Sequence, residues 1–193
     1  MRTTLPAIRL LAALALPALA GVPAAHAAEP LVCFTPGQDC TGLIVGEIAG
    51  ARQSILVRAY SFTSVPILSA LKAAHARGID VEVIVDKTSA RQSKSGSRYS
   101  AANYLTNAGI PVWVDAKVAI AHNKVMVIDG ALVITGSFNF TTAAQKSNAE
   151  NLLMIEDGAL AAEYKANWER RRAVSEPYAD ALPAAPSPTI EAE

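Results

Sequence analysis

Apolar residues along this chain fall into short runs whose spacing alternates between the helical and the extended pattern. Over Thr41 to Arg52, Leu43, Ile44, Ile48 and Ala51 recur on one helical face. Ile55 to Phe62 is short, β-branched and aromatic, and predicts a strand. Ser64 stands where it can N-cap a helix that carries Pro66 in its first turn, runs to Arg77 and stops at Gly78. Val81 to Val85 predicts a buried strand ending at Asp86, followed by the polar loop KTSARQSKSGSR. Tyr99 to Asn107 predicts a helix closed by Gly109, and Val112 to Val114 a strand. Lys124 to Ile128 and Leu132 to Thr135 predict two strands joined at Asp129-Gly130, a dipeptide suited to a tight hairpin turn. Asn151 to Ile155 predicts a further strand and Ala159 to Arg172 a terminal helix. The expected fold class is α/β: one domain with a mixed β-sheet flanked by helices on both faces.

The two ends of the chain do not share this alternation. Arg2 and Arg9 precede the apolar run Leu10 to Ala20, and Ala25-His26-Ala27 is a small-x-small cleavage signal. Residues 1–27 therefore read as a signal peptide, since the apolar run is about half of what spanning a bilayer needs. The expected location is exported, in a bacterial periplasm or secreted. From Ser175 to Glu193 the chain carries four prolines and an acidic excess, which predicts a disordered tail. The folded domain is thus expected over 28–174.

Charge now reads differently from its total. The whole chain is neutral, with 17 basic and 17 acidic side chains. That balance excludes binding of an acidic polymer through bulk positive charge. The sum hides a basic leader, a body at +2 and a tail at −4. Two cysteines cannot build a disulfide-dense miniprotein or a four-cysteine zinc site. In an oxidising compartment, Cys33 and Cys40 are expected to form a local disulfide around a Pro-Gly turn. Two free thiols are the alternative, and a metal pair lacks neighbouring histidines.

Beyond the leader the chain has two histidines, His75 and His122. His75 lies near a predicted helix C-terminus, where imidazolium complements the dipole. His122 opens HNKVMVID. On a strand, i and i+2 project to one face, so His122 and Lys124 would stand side by side over one pocket while Val125 and Val127 point into the core. After Asp129 comes GSFNFT, with Ser137 and Asn139 again two apart, and then Glu150 in KSNAEN. Each has an ordinary reading: Lys124 as an edge-strand gatekeeper, Asp129 as a turn residue, Ser137 and Asn139 as helix caps, Glu150 as a surface charge. The combination argues against them, because His-x-Lys-x4-Asp alone arises by chance in roughly one chain in a hundred of this length.

HNKVMVID followed by GSFNFT resembles the phospholipase D superfamily, whose signature is His-x-Lys-x4-Asp followed by Gly-Ser-x-Asn. Within it, the chain is most similar to the single-motif secreted bacterial endonucleases that resist EDTA. The similarity extends through RAYSFTSVPILSAL, Gly78-Ile79-Asp80, NAGIP and Trp168-Glu169-Arg170, covering most of 33–172. Hydrolysing a phosphodiester needs a nucleophile, a proton donor for the leaving oxygen and fixed positive charge at the nonbridging oxygens. His122 is the candidate nucleophile, giving a phosphohistidine that water hydrolyses. Lys124, Ser137 and Asn139 supply the polar field. The resemblance puts Glu150 where the family's carboxylate hydrogen-bonds the other imidazole nitrogen. Asp129 matches the motif aspartate and joins the catalytic set as an organiser of the pocket. No cofactor is expected, and no metal, since no clustered Asp/Glu set suits two divalent ions. Because the chain carries one motif, a homodimer is expected, with the active site at the two-fold interface and one His122 as nucleophile, the other as acid.

Substrate is carried by fewer residues. Lys87, Arg91, Lys94 and Arg98 lie in a loop without an acidic residue and could engage a phosphate backbone. Arg170, Arg171 and Arg172 are read as answering the helix dipole. Tyr60 and Phe62 are read as core, with substrate contact as the alternative. The leading function is a nonspecific endonuclease on DNA, with RNA as a further candidate substrate, without stable membrane association. The alternatives are a phospholipase D acting on phosphatidyl head groups and a non-catalytic nucleic-acid-binding protein.

Overall fold

Each predicted apolar run becomes a strand of one sheet or a helix packed on it. The computed structural model describes residues 29–91 and 100–181. The expected leader, Lys94, Arg98 and the last part of the tail lie outside the described residues. In chain order the elements are β1 (Leu31–Thr35), α1 (Cys40–Gly50), β2 (Ser54–Ala59), α2 (Val65–Ala76), β3 (Asp80–Asp86), α3 (Lys87–Arg91), α4 (Ala101–Asn107) and β4 (Val112–Asp115). They continue as β5 (Lys124–Ile128), β6 (Leu132–Gly136), α5 (Thr142–Lys146), β7 (Glu150–Glu156), α6 (Gly158–Arg172), β8 (Glu176–Pro177) and α7 (Tyr178–Ala181).

The strands form one sheet in the order β1-β7-β6-β5-β2-β3-β4-β8. β2, β3 and β4 run parallel, joined by helical crossovers, while β5, β6, β7 and β1 extend the sheet antiparallel from β2. The sheet is therefore mixed and of the expected class. Local chemistry sets the boundaries. Asp39, Ser100, Thr141 and Asp157 cap α1, α4, α5 and α6 by accepting backbone N–H groups. Ser64 occupies the N-cap of α2 without a side-chain cap bond, and Pro66 fills the first turn. Asp129 and Gly130 both take positive φ, and Ala131 N–H closes their turn on the Ile128 carbonyl at 3.0 Å.

Helices cover both faces. The larger core packs Ile44, Ile48, Ile67, Leu68, Leu71 and Leu105 against one face of the sheet. The smaller core lies under α6, where Trp168 meets Val125, Val127 and Val133 and its indole N–H donates to the Val57 carbonyl at 3.0 Å. Val125 and Val127 thus enter the smaller core, and Met126 and Ile128, on the face shared with Lys124, enter the larger one. Both faces of β5 are buried, so alternation along it does not separate solvent from interior. Cys33 and Cys40 form a disulfide that fastens β1 to α1, restricting the unfolded chain by about 2 kcal/mol.

Two expectations are corrected. The polar loop after β3 opens with a helical turn, α3, because Asp86 Oδ1 accepts from Thr88 N and Oγ1 and starts it. The segment from Ser175 to Ala181, read as the start of a disordered tail, forms β8 and α7. Its anchor is Tyr178, 2% exposed, whose hydroxyl donates to Asn103 at 2.9 Å. One buried aromatic outweighs the polar, proline-bearing composition around it.

Candidate active site

The antiparallel register brings the start of β5, the end of β6 and the start of β7 to one end of the sheet, beside the end of β2. A solvent-open cleft sits there, lined by His122, Lys124, Thr135, Ser137, Asn139 and Glu150, with Asn123 and Tyr164 on its wall. Its volume is about 620 Å³. Eight of its ten lining residues are polar, and Val125 is the one aliphatic contribution larger than glycine.

His122 lies two residues before the start of β5 and is exposed, on a loop tied down from three directions. Asp86, fully buried at the end of β3, accepts from Ala121 N–H through Oδ2 at 2.7 Å. Lys87 Nζ donates to the Val118 carbonyl at 2.9 Å, and Tyr60 N–H to the Asn123 carbonyl at 3.0 Å. The Tyr60 ring lies 4.5 Å from the His122 ring, tilted against it. Lys124 Nζ is 3.1 Å from His122 Nδ1, 3.3 Å from Nε2, and donates to the His122 carbonyl at 2.8 Å. Lys124 is 6% exposed; burial pushes its ammonium below the ordinary lysine range, and the nearby Glu150 carboxylate opposes that shift.

Opposite this pair, Gly136 turns the end of β6 at φ 146°, where an added Cβ would collide with the Asn151 carbonyl. The turn presents Ser137, whose Oγ donates to Glu150 Oε2 at 2.6 Å and accepts from Asn151 N–H at 3.1 Å. Asn148 donates to Glu150 Oε1 at 2.9 Å. Asn139 Oδ1 is buried without a hydrogen-bond partner among the described residues. An exposed imidazole, a buried lysine amine and amide and hydroxyl groups around one cleft can hold an anionic phosphoryl group and offer it a nitrogen nucleophile.

The expected residues divide accordingly. His122, Lys124, Ser137, Asn139 and Glu150 come together. Glu150 does not make the implied bond to His122, because both its oxygens are taken by Ser137 and Asn148 at the start of β7. Asp129 is not in the cleft. It stands at the opposite end of β5, roughly 17 Å away for a strand of that length. There its carboxylate accepts from Arg52 and Gln53 N–H at 2.8 and 2.7 Å and from Ser54 N–H at 3.0 Å. Burial pushes this carboxyl up, but the donors of Ser54, Arg52 and Gln53 together outweigh it and hold it below the usual range. Its stabilisation is complete above the ordinary value near pH 4 and is lost as pH falls through the lower folded value. Asp129→Asn is therefore expected to be less stable at neutral pH. Its urea midpoint should fall less steeply than wild type between about pH 5 and pH 3; equal slopes would refute the role.

Of the four loop cations, Lys87 is committed to Val118, Arg91 lies in α3, and Lys94 and Arg98 lie outside the described residues. Arg171 and Arg172 have specific partners rather than only the helix dipole. Arg171 chelates Asp115 at 2.5 and 2.8 Å, and Arg172 pairs with Glu82 at 3.1 Å and stacks over Trp113. Phe62 is core, edge-on to Phe140. No local signal marks Asn123, Thr135, Tyr164 and Asp86 as site residues, because only strand register and the packing of α6 bring them to the cleft or its loop. Among the described residues, no group of three or more His, Cys, Asp and Glu side chains could hold a metal ion.

Comparison with known proteins agrees with this geometry. A family model described as cardiolipin synthase, PLD-like domain, matches residues 44–172. A phospholipase D of Rickettsia bellii (strain RML369-C) is 45% identical over 141 residues, 73% of this chain and 68% of the relative. Nuc of Salmonella typhimurium, a phospholipase D family member, has a crystal structure that matches with a TM-score of 0.70 and 37% identity, covering 78% of this chain and 99% of that one. NucT from Helicobacter pylori matches with a TM-score of 0.68 and 26% identity, covering 77% and 98%.

Proposed function

This chain belongs to the phospholipase D superfamily and is a phosphodiesterase of that group, and on that premise we propose that it is an exported, nonspecific endonuclease. The observation carrying the reading is the His122–Lys124 contact in an open cleft of polar lining, which suits a charged polymer passing over the surface. No helix among the described residues is long and apolar enough to cross a membrane. The Cys33–Cys40 disulfide supports an oxidising compartment.

The proposed reaction has two steps. A His122 ring nitrogen attacks phosphorus, the bond to the leaving oxygen breaks, and that oxygen takes a proton from an acid on the opposite side. Water then attacks the phosphohistidine, the phosphorus–nitrogen bond breaks, and the water's proton returns to the acid. Lys124, Ser137 and Asn139 bind the nonbridging oxygens, where charge grows in the transition state. Glu150 orients Ser137, and a shift of its carboxylate onto the imidazole would stabilise the cation. The acid is His122 of the partner subunit in a two-fold dimer.

A second reading, hydrolysis of phosphatidyl head groups, is favoured by the Rickettsia relative's name. The two separate in one assay. Purified protein is expected to nick plasmid DNA in excess EDTA and to leave phosphatidylcholine vesicles intact. Activity abolished by EDTA would overturn the metal-free route, and choline release without nicking would favour the lipid reading.

A further inference from the structure

A second depression opens off the active cleft along α6. It is lined by Arg58, Asn123, Glu163, Tyr164, Asn167 and Arg170. Asn123 and Tyr164 belong to both depressions, so the two are continuous. Arg58, Asn123 and Asn167 carry the trough onward to Arg171. On α6, Tyr164, Asn167 and Arg170 recur every three residues and so follow one side of the helix, and to Arg171 they extend about 10 Å.

The charges along this trough are unequal. Asp115 is chelated by Arg171 and lies 4.0 Å from Arg58, so one carboxylate faces two guanidiniums. Arg58 is only 7% exposed and donates to Asn167 at 2.6 Å, which fixes it in the trough wall. Arg170 is exposed and forms no ion pair among the described residues. Glu163 is the one other acid lining the trough. A nearly neutral protein thus keeps a local surplus of positive charge beside its reactive histidine, with an aromatic side chain between the two.

We infer that this trough is the track for the nucleic-acid strand flanking the scissile phosphate, with Arg170 and Arg58 holding the neighbouring phosphate and Tyr164 stacking the intervening base. The inference rests on the endonuclease reading and adds a source of strand affinity to the loop cations. Single-strand tracks of this kind combine cations along the backbone with aromatic platforms for bases.

The test compares a 12-nucleotide single strand with thymidine 5′-p-nitrophenyl phosphate, too short to reach Arg170. For Arg170→Ala, kcat/KM on the 12-mer should fall about tenfold relative to the short substrate, and the salt slope of log KM should shrink by about 0.7. Arg170→Lys should retain most of the preference. Lys72→Ala, the same charge change on α2 across the sheet, should keep the wild-type ratio. A wild type that cleaves the 12-mer while Arg170→Ala matches Lys72→Ala in both readouts would overturn the track alone. A wild type that cleaves phosphatidylcholine and neither nucleotide would overturn the endonuclease reading and the track together.

Discussion

His122→Asn is expected to lower turnover on plasmid DNA by about 10³-fold or more while leaving the unfolding midpoint within experimental error of wild type. The two halves follow from separate observations. The imidazole is exposed, so its loss removes no core packing, and surface changes of that kind stay within about 0.5 kcal/mol. Chemically, it is the one imidazole lining the cleft, and an amide is no substitute nucleophile. Alkaline quench of wild type during turnover should trap an acid-labile phosphoryl group on His122. Mixed dimers of wild type and His122→Asn should also be impaired, because each site then lacks either nucleophile or acid. Undiminished cutting by the variant would remove His122 from the mechanism, and a fully active wild-type monomer would remove the shared site.

Asp115→Ala is expected to cost about 3–5 kcal/mol, because it leaves Arg58 and Arg171 facing each other in the wall between β2, β4 and α6. Asp115 is wholly buried, and its two oxygens accept from Arg171 and from Lys117 N–H. In a domain of this size that loss lowers Tm by roughly 10 °C or more. Asp115→Ala/Arg171→Met should recover part of it, since removing both partners leaves fewer uncompensated charges. A Tm within 2–3 °C of wild type, roughly a 1 kcal/mol effect, would mean that the network is solvated and contributes little.

Much of the fold is legible in the sequence because its cues are local. The apolar runs mark β2, β3, β5 and β6; Asp129-Gly130 marks a hairpin whose two residues need positive φ; Pro66 and Gly78 bracket α2. The pairing of His122 with Lys124 is likewise a two-residue spacing. Asp129 is the instructive contrast. It lies as close to Lys124 in sequence as Lys124 lies to a neighbouring turn, yet an extended strand carries it to the far end of the sheet. There it serves the backbone of Arg52, Gln53 and Ser54 instead of a phosphate. A motif records which residues occur together, not which end of a strand each occupies.

By itself, then, the sequence determined the alternation of strands and helices, the hairpin, the disulfide pair and the residues proposed to carry phosphoryl chemistry. Each depends on neighbours a few positions away, where backbone geometry leaves few choices. Tertiary structure alone decided the partners: Asp86 with Ala121 across 35 residues, Asp115 with Arg171 across 56, Arg58 with Asn167 across 109. Those contacts depend on strand order and on where α6 lies across the sheet, which no local period encodes. They turn an exposed histidine into a fixed one and leave Arg170 free beside it.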